Sequence, residues 1–242
     1  MANRAVKIFV VNDFACHFCY IGHIELLQAI SYCKDSLNLP LTVEVEYRPF
    51  RLINCLKEFS PGIDRTTFYM NKMGKEKFEA TESAIDKWTK ESGVPISFNG
   101  PMSQTIWAHR LSLKAFNIGG QALQLPLLTA LFKAYFEEKK DIGDINLLAD
   151  ISEEVGVMTK GEAIEFLQSN LHEDEVLKMT EEAKAKGITG VPVYVIDGRW
   201  VLKGGQSASV FIEIFKKLAS GASSSRGSSP FMPQLHTTTQ CC

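Results

Sequence analysis

No apolar run in this 242-residue chain approaches the roughly 20 residues a bilayer-spanning helix needs, so no membrane anchor is expected. Nor is there a charge surplus: 26 Lys and Arg against 28 Asp and Glu leave a formal net charge of −2. That balance gives no reason to expect nucleic acid or an anionic membrane surface as a partner. No export signal is expected either. The apolar stretch at residues 5–11 is short, and cleavage behind it would remove or crowd the cysteine motif that follows. It reads as a first strand, and the chain is expected to be cytoplasmic. Cysteine is sparse, six in all, and neither Cys33 nor Cys55 pairs with the other or with a histidine at ligand spacing. Zinc needs two such pairs, so no metal is expected. In a reducing compartment structural disulfides are not expected either, and both thiols read as idle. A C-a-a-X lipidation signal would need cysteine where Thr239 stands, so the terminal Cys241-Cys242 does not form one.

One stretch carries chemistry. The β-branched run Val6-Lys7-Ile8-Phe9-Val10-Val11 ends at Asn12-Asp13, and Cys16-His17-Phe18-Cys19 follows. Tyr20, Ile24 and Leu27 then recur at helical spacing. The cysteine pair therefore sits where a strand hands over to a helix. A thiol there faces open backbone N–H groups and the positive end of the helix dipole, which favour thiolate. Cys16 is expected to be the exposed, attacking sulfur. Cys19, one turn further in, can close a disulfide with it. His17, if cationic, would stabilise the neighbouring thiolate; if merely solvated, it does nothing.

Residues 41–47 alternate apolar and polar and read as a second strand, completing a β-α-β unit with parallel pairing. From about 64 to 186 the pattern is helical. The expected segments are 66–91 as one long amphipathic helix, then 103–116, 121–139, 144–154, 159–170 and 173–186, with Gly187 as the stop. Pro126 lies near the first turn of its helix, where it is tolerated. The large residues of this block, Phe68, Met73, Trp88, Trp107, Phe132, Tyr135 and Phe136, read as packing. Two short apolar runs, 192–196 and 199–202, are joined by Asp197-Gly198, the preferred two-residue hairpin turn. Ser207 reads as the N-cap of a last helix. Residues 220–242 turn to Ser, Gly and Thr and read as a flexible tail.

Several stretches in this order resemble the DsbA-like thioredoxin-fold family, most closely its FrnE-type subgroup. That subgroup is related to kappa-class glutathione transferases and 2-hydroxychromene-2-carboxylate isomerases. They are Asp13-Phe14-Ala15-Cys16-His17-Phe18-Cys19-Tyr20-Ile21-Gly22, Tyr47-Arg48-Pro49-Phe50-Arg51-Leu52, Ala108-His109-Arg110-Leu111, Ala134-Tyr135-Phe136 with Asp141-Ile142, and Gly190-Val191-Pro192 followed by Gly204-Gly205-Gln206. The resemblance spans about residues 6–218. It implies an α/β architecture: a thioredoxin fold with a large all-helical insertion between its β-α-β half and its β-β-α half. The thioredoxin-like unit would comprise 1–56 and 187–219, and the insertion 57–186. It also implies that Val191-Pro192 is a cis-proline loop facing the cysteines, a seat for substrate or glutathione. Two departures stand out: the subgroup commonly has proline and tryptophan where His17 and Phe18 stand, and the transferase and isomerase relatives typically have serine where Cys16 stands. His109 reads as a hydrogen-bonded structural histidine.

Two enzyme functions follow as expectations. The first is a thiol–disulfide oxidoreductase, with Cys16 attacking a disulfide or glutathione and Cys19 resolving. The alternative is a glutathione-dependent transferase or isomerase acting on a small electrophile, with Gln206 and Ser207 at a helix start taking a glutathione carboxylate. Glutathione is the expected co-substrate of either. A non-enzymatic module with vestigial cysteines fits the intact pair poorly. Relatives are often dimers, so a homodimer is a further expectation.

Overall fold

The computed structural model describes residues 3–53 and 63–221. Val6, Ile8 and Val10 are buried while Ala5 and Lys7, which alternate with them, are exposed, the period-2 pattern of strand β1, Arg4–Asn12. Helix α1, His17–Ser31, follows and runs into a π-helical turn, Tyr32–Ser36. Strand β2, Leu41–Pro49, returns parallel to β1, with Val45 opposite Ile8. It runs two residues past the expected end at Tyr47. Pro49 is tolerated because it is the last residue of the ladder, where its missing N–H breaks nothing.

The helical block comprises α2 (Arg65–Met73), α3 (Lys75–Ser92), α4 (Ile106–Gly119), α5 (Gln121–Phe136), α6 (Ile145–Glu154), α7 (Lys160–Gln168) and α8 (Glu173–Ala185). The single helix expected over 66–91 is two helices. Gly74, at φ +83°, ψ 154°, is non-helical and breaks the run, a conformation that costs glycine little. The expected 103–116 helix starts later and ends at Gly119. The expected 121–139 helix stops at Phe136, and Lys139 takes a positive φ of 60°. Thr159 caps α7 in a reciprocal capping box with Glu162.

Strands β3 (Val193–Ile196) and β4 (Trp200–Lys203) form the hairpin, and α9 (Ala208–Ala219) closes the described chain. Asp197 and Gly198 both have positive φ, as the expected turn requires. Ile196 pairs with Trp200, however, so the connection has three residues rather than two. The sheet order is β2-β1-β3-β4, with β3 antiparallel to both neighbours. This is a thioredoxin fold with a helical insertion between its two halves. The expected junction at 56/57, Cys55, and the tail from 222 onward lie outside the described residues.

α1 and α9 pack beside each other, burying Leu26, Ala29, Phe211 and Phe215. Phe132, Tyr135 and Phe136 of α5 are fully buried. Each such aromatic stabilises by roughly 2–3 kcal/mol against leaving it in water. Phe68, Met73, Trp88 and Trp107 are half-buried against the same core. The block is therefore welded to the face of the sheet that carries α1, and this brings α2 and the 97–101 loop over the start of α1.

Candidate active site

The cysteine loop is held before the helix begins. Asp13 accepts from the backbone of Ala15 (3.3 Å) through one carboxylate oxygen and from Leu52 N–H (2.7 Å) through the other. Its carbonyl accepts from Cys16 N–H at 3.1 Å, closing a turn. This is the local geometry that aspartate favours at a strand end. His109 of α4 reaches the same carboxylate, Nε2 to Oδ1 at 3.3 Å, and so acts as the structural histidine expected of it. Burial alone would raise the Asp13 pKa. The hydrogen bond and charge of His109, with the Leu52 N–H and Thr105, outweigh it, and the carboxyl stays below its ordinary value. From above, Tyr69 of α2 donates its hydroxyl to Ala15 C=O at 2.7 Å.

Cys16 is the N-cap of α1 (φ −97°, ψ 112°), and the first turn carries no acidic residue to oppose a negative sulfur. Its S–H donates to Val191 C=O at 3.5 Å, and the Val191–Pro192 peptide bond is cis. Cys16 is not the exposed sulfur that the sequence suggests. Only 8% of it is accessible, because an apolar slot closes over it. Leu52, Ile53, Tyr69, Met73, Phe98 and Val191 line that slot, with Lys72 and Lys77 among its polar residues. Cys19 lies deeper, 1% exposed. Burial pushes its thiol well above the usual value, and a hydrogen bond with Cys16 adds to this, so Cys19 is a thiol at neutral pH. Cys16 and Cys19 are both free thiols, as is the buried Cys33.

His17 corrects an expectation. It is 5% exposed and stacks on Phe98 (3.8 Å between centroids) and Phe136 (4.4 Å), with Tyr69 edge-on. Burial and then the nearby Arg65 guanidinium hold its pKa well below the ordinary value, although a hydrogen bond with the Ser97 backbone opposes them. The ring is neutral, so it does not stabilise a thiolate by charge. Its Nε2 has no partner among the described residues.

Gln206 and Ser207 are not among the residues lining the slot. The Gln206 amide donates to Lys203 C=O (3.0 Å) and Gly204 C=O (3.3 Å). Ser207 is the N-cap of α9, as expected, but makes no side-chain cap; its hydroxyl meets that of Ser209 at 2.8 Å. Ala208 N–H, the first of α9, instead donates to Glu25 Oε2 at 2.7 Å, and Trp88 of α3 donates to the other oxygen. The helix start thus already holds a carboxylate of the protein's own. Among the described residues no cluster of His, Cys, Asp and Glu could hold a metal ion, and no helix is long and apolar enough to cross a membrane.

The sequence reading passed over Tyr69, Phe98, Phe136 and Arg65 as site residues. They come from three separate places in the insertion, and no spacing in the chain links them to Cys16. For Asp13 the signal available in the sequence is its place between a strand and a C-x-x-C.

A dithiol at the N-terminus of α1, faced by a cis-proline loop and roofed by helices, defines a class of thioredoxin-fold protein. Residues 6–216 match the family model of the DSBA-like thioredoxin domain, and the chain belongs to that family. It is 29% identical over 213 residues, 85% of this chain and 94% of the relative, to the uncharacterized protein YwbO of Bacillus subtilis. Among solved structures it is similar to a probable DsbA oxidoreductase from Streptomyces coelicolor, with TM-score 0.74, 23% identity and 98% of each chain covered. A 2-hydroxychromene-2-carboxylate isomerase aligns with TM-score 0.66 and 17% identity, over 90% of this chain and 100% of that one. A cytosolic disulfide reductase, DsbM of Pseudomonas aeruginosa with GSH, aligns with TM-score 0.56 and 14% identity, over 89% and 96%.

Proposed function

We propose that the protein is a dithiol oxidoreductase of the FrnE type that works on small thiols and disulfides, glutathione foremost. One observation carries this reading: Cys16, only 8% exposed, caps α1 at the base of a slot, with the thiol Cys19 directly behind it. Such a slot favours a small disulfide over a folded protein. The Cys16 thiolate attacks one sulfur of the substrate disulfide, forming a mixed disulfide and releasing one thiolate, which takes a proton from water. Cys19, deprotonated, then attacks the Cys16 sulfur. The second substrate thiolate leaves, and the protein is left with a Cys16–Cys19 disulfide, having delivered two electrons. A thiol donor restores the dithiol by the reverse steps, as suits a cytoplasmic setting. Val191 C=O, 3.5 Å from Cys16, marks where the substrate backbone or its cysteinyl group would lie. Glutathione carboxylates need a seat other than the α9 start, which Glu25 fills. Lys72 and Lys77 supply positive charge in the slot.

A second reading is a glutathione-dependent transferase or isomerase of small electrophiles. The apolar lining from Leu52, Ile53, Met73 and Phe98 favours it, since a disulfide exchange needs no such pocket. Replacing Cys19 by serine separates the two. A dithiol enzyme should lose disulfide turnover and accumulate a Cys16–glutathione adduct. Loss-free processing of electrophiles by Cys19→Ser, with no disulfide activity in the unaltered protein, would put the second reading in place of the first.

A further inference from the structure

The dithiol reading accounts for the sulfurs but leaves the apolar lining of the slot without a task. Thiolate exchange needs a path to Cys16, not a wall of hydrocarbon. The wall is there all the same. Ile53 and Phe98 are buried in it, and Leu52 and Met73 are half-buried.

Two features show what it fits. The first is charge. Among the described residues that line the slot there is no Asp or Glu, Lys72 and Lys77 are cationic, and His17 is neutral. An occupant with a negative group is therefore favoured. Lys72 is placed to take that group: its ammonium lies 5.7 Å from the Phe68 ring centroid and meets no carboxylate among the described residues. The second is shape. The Phe98 ring already meets His17 at 3.8 Å, Phe78 edge-on at 5.0 Å and Tyr69 edge-on at 6.0 Å. Its contacts are spent on protein rings rather than on stacking a planar substrate. What remains is aliphatic and thioether surface from Leu52, Ile53 and Met73, which suits a saturated chain.

The two ends of the slot are set apart. Tyr69, Lys72 and Met73 stand at i, i+3 and i+4 on α2 and share a face. The Tyr69 hydroxyl is 2.7 Å from the carbonyl of Ala15, next to Cys16. Lys72 and Met73 lie about one turn, roughly 5 Å, further along α2. Hydrocarbon therefore lies between the sulfur and the cation.

Resting on the dithiol reading, we propose that the slot selects disulfides in which one sulfur carries an aliphatic arm ending in a carboxylate. The arm lies against Leu52, Ile53 and Met73, its carboxylate meets Lys72, and its sulfur is presented to Cys16. Glutathione forms the other half. The Cys16 thiolate attacks the sulfur of the arm. The bond from that sulfur to glutathione breaks, and glutathione leaves as a thiolate that takes a proton from water. The arm is now bonded to Cys16 inside the slot. Cys19, having lost its proton to water, attacks the Cys16 sulfur, and the arm departs as a thiolate and is protonated. Two electrons have passed to the substrate, and the protein holds a Cys16–Cys19 disulfide. Two molecules of free glutathione reduce it and leave as oxidised glutathione.

The test uses the full chain in its dithiol form. The probes are mixed disulfides of glutathione with ω-mercaptoalkanoic acids of two, four and six carbons, and with 6-mercaptohexanol. The rate of Cys16–Cys19 disulfide formation is read by quenched mass spectrometry. Each rate is divided by that of the same probe with dithiothreitol, which removes intrinsic reactivity. A fully buried methylene is worth about fourfold, so this partly open slot should raise the ratio by at least about tenfold from two carbons to six. The six-carbon acid should exceed the alcohol by about threefold. Lys72→Met should erase that preference and leave the alcohol unchanged. Met73→Gln should flatten the dependence on length and leave the two-carbon acid unchanged. A ratio independent of length would overturn the proposal, since the wall would then only shield the sulfur. Equal ratios for acid and alcohol would overturn it too, as would variants that slow every probe alike with a lowered melting temperature. If neither these probes nor oxidised glutathione oxidises the unaltered protein, the dithiol reading itself fails.

Discussion

Gly22 shows how far one residue near the site is determined by its surroundings. It lies inside α1, where alanine would ordinarily be about 1 kcal/mol better. A Cβ there would stand 1.9 Å from the Tyr194 hydroxyl oxygen, a distance no packing tolerates. That hydroxyl is buried without a partner among the described residues, and buried unbonded hydroxyls cost about 1–3 kcal/mol. Gly22→Ala should therefore destabilise by about 2 kcal/mol or more, read as a drop in denaturation midpoint. Tyr194→Phe should be neutral or stabilising, and the double change should recover most of the loss; additive losses would show that the hydroxyl is not the obstacle. The same scale shows what the sequence could and could not disclose. Cys16 and Cys19 were legible because spacing and a strand-to-helix handover are local. The charge of His17 was not, since Phe98, Phe136, Tyr69 and Arg65, which bury it and hold it neutral, arrive from α2, α5 and the 97–101 loop. The exposure of Cys16 was misjudged for the same reason.

Among the elements, α5 does the most to join the two halves. Strand β2 lies at the sheet edge, and its outer backbone would otherwise be unpaired. Gln121 and Gln124 of α5 cover it. Gln121 accepts from Val45 N–H (2.8 Å) and donates to Val43 C=O (3.2 Å); Gln124 does the same for Tyr47, at 2.8 and 2.9 Å. Side chains three apart on a helix thus meet alternate residues of a strand. Gln124→Leu should cost about 2–4 kcal/mol, because the Tyr47 N–H and C=O would both lose their partner inside the protein. Hydrogen exchange at Tyr47 should rise, and unchanged protection there would contradict the clamp. Arg110 does similar work elsewhere. It donates to the carbonyls of Phe166, Leu167, Ser169 and Leu171, closing the C-terminal end of α7. Strands and most helix ends could be read from periodicity and caps. These side-chain-to-backbone clamps could not, because glutamine and arginine in a helix usually mark a solvated face.

At the scale of the whole molecule, buried neutral histidines tie stability to pH. An unfolded imidazole titrates near 6.5, whereas His23 in the fold is pushed down to about 3 and His17 is also held low. Below about pH 6.5 the unfolded chain binds protons that the folded one refuses, so stability is complete above that pH and falls as pH drops towards 3. His23 alone accounts for roughly 4 kcal/mol by pH 3. Asp13 adds a loss only at lower pH, below the ordinary carboxylate value. Melting curves across this window should show a steep acid decline that His23→Gln flattens; a flat profile in the unaltered protein would contradict the burial assigned to these rings. The sheet and helical block act together on one pair of sulfurs, and that pair is the centre of the account. Its most direct test is the intact mass of the protein and of Cys19→Ser after brief exposure to oxidised glutathione, with the modified residue located by peptide mapping. The unaltered protein should be lighter by two hydrogens, linked Cys16 to Cys19. Cys19→Ser should carry one glutathione, on Cys16. A glutathione on Cys33 instead, or no Cys16–Cys19 link in the unaltered protein, would contradict it.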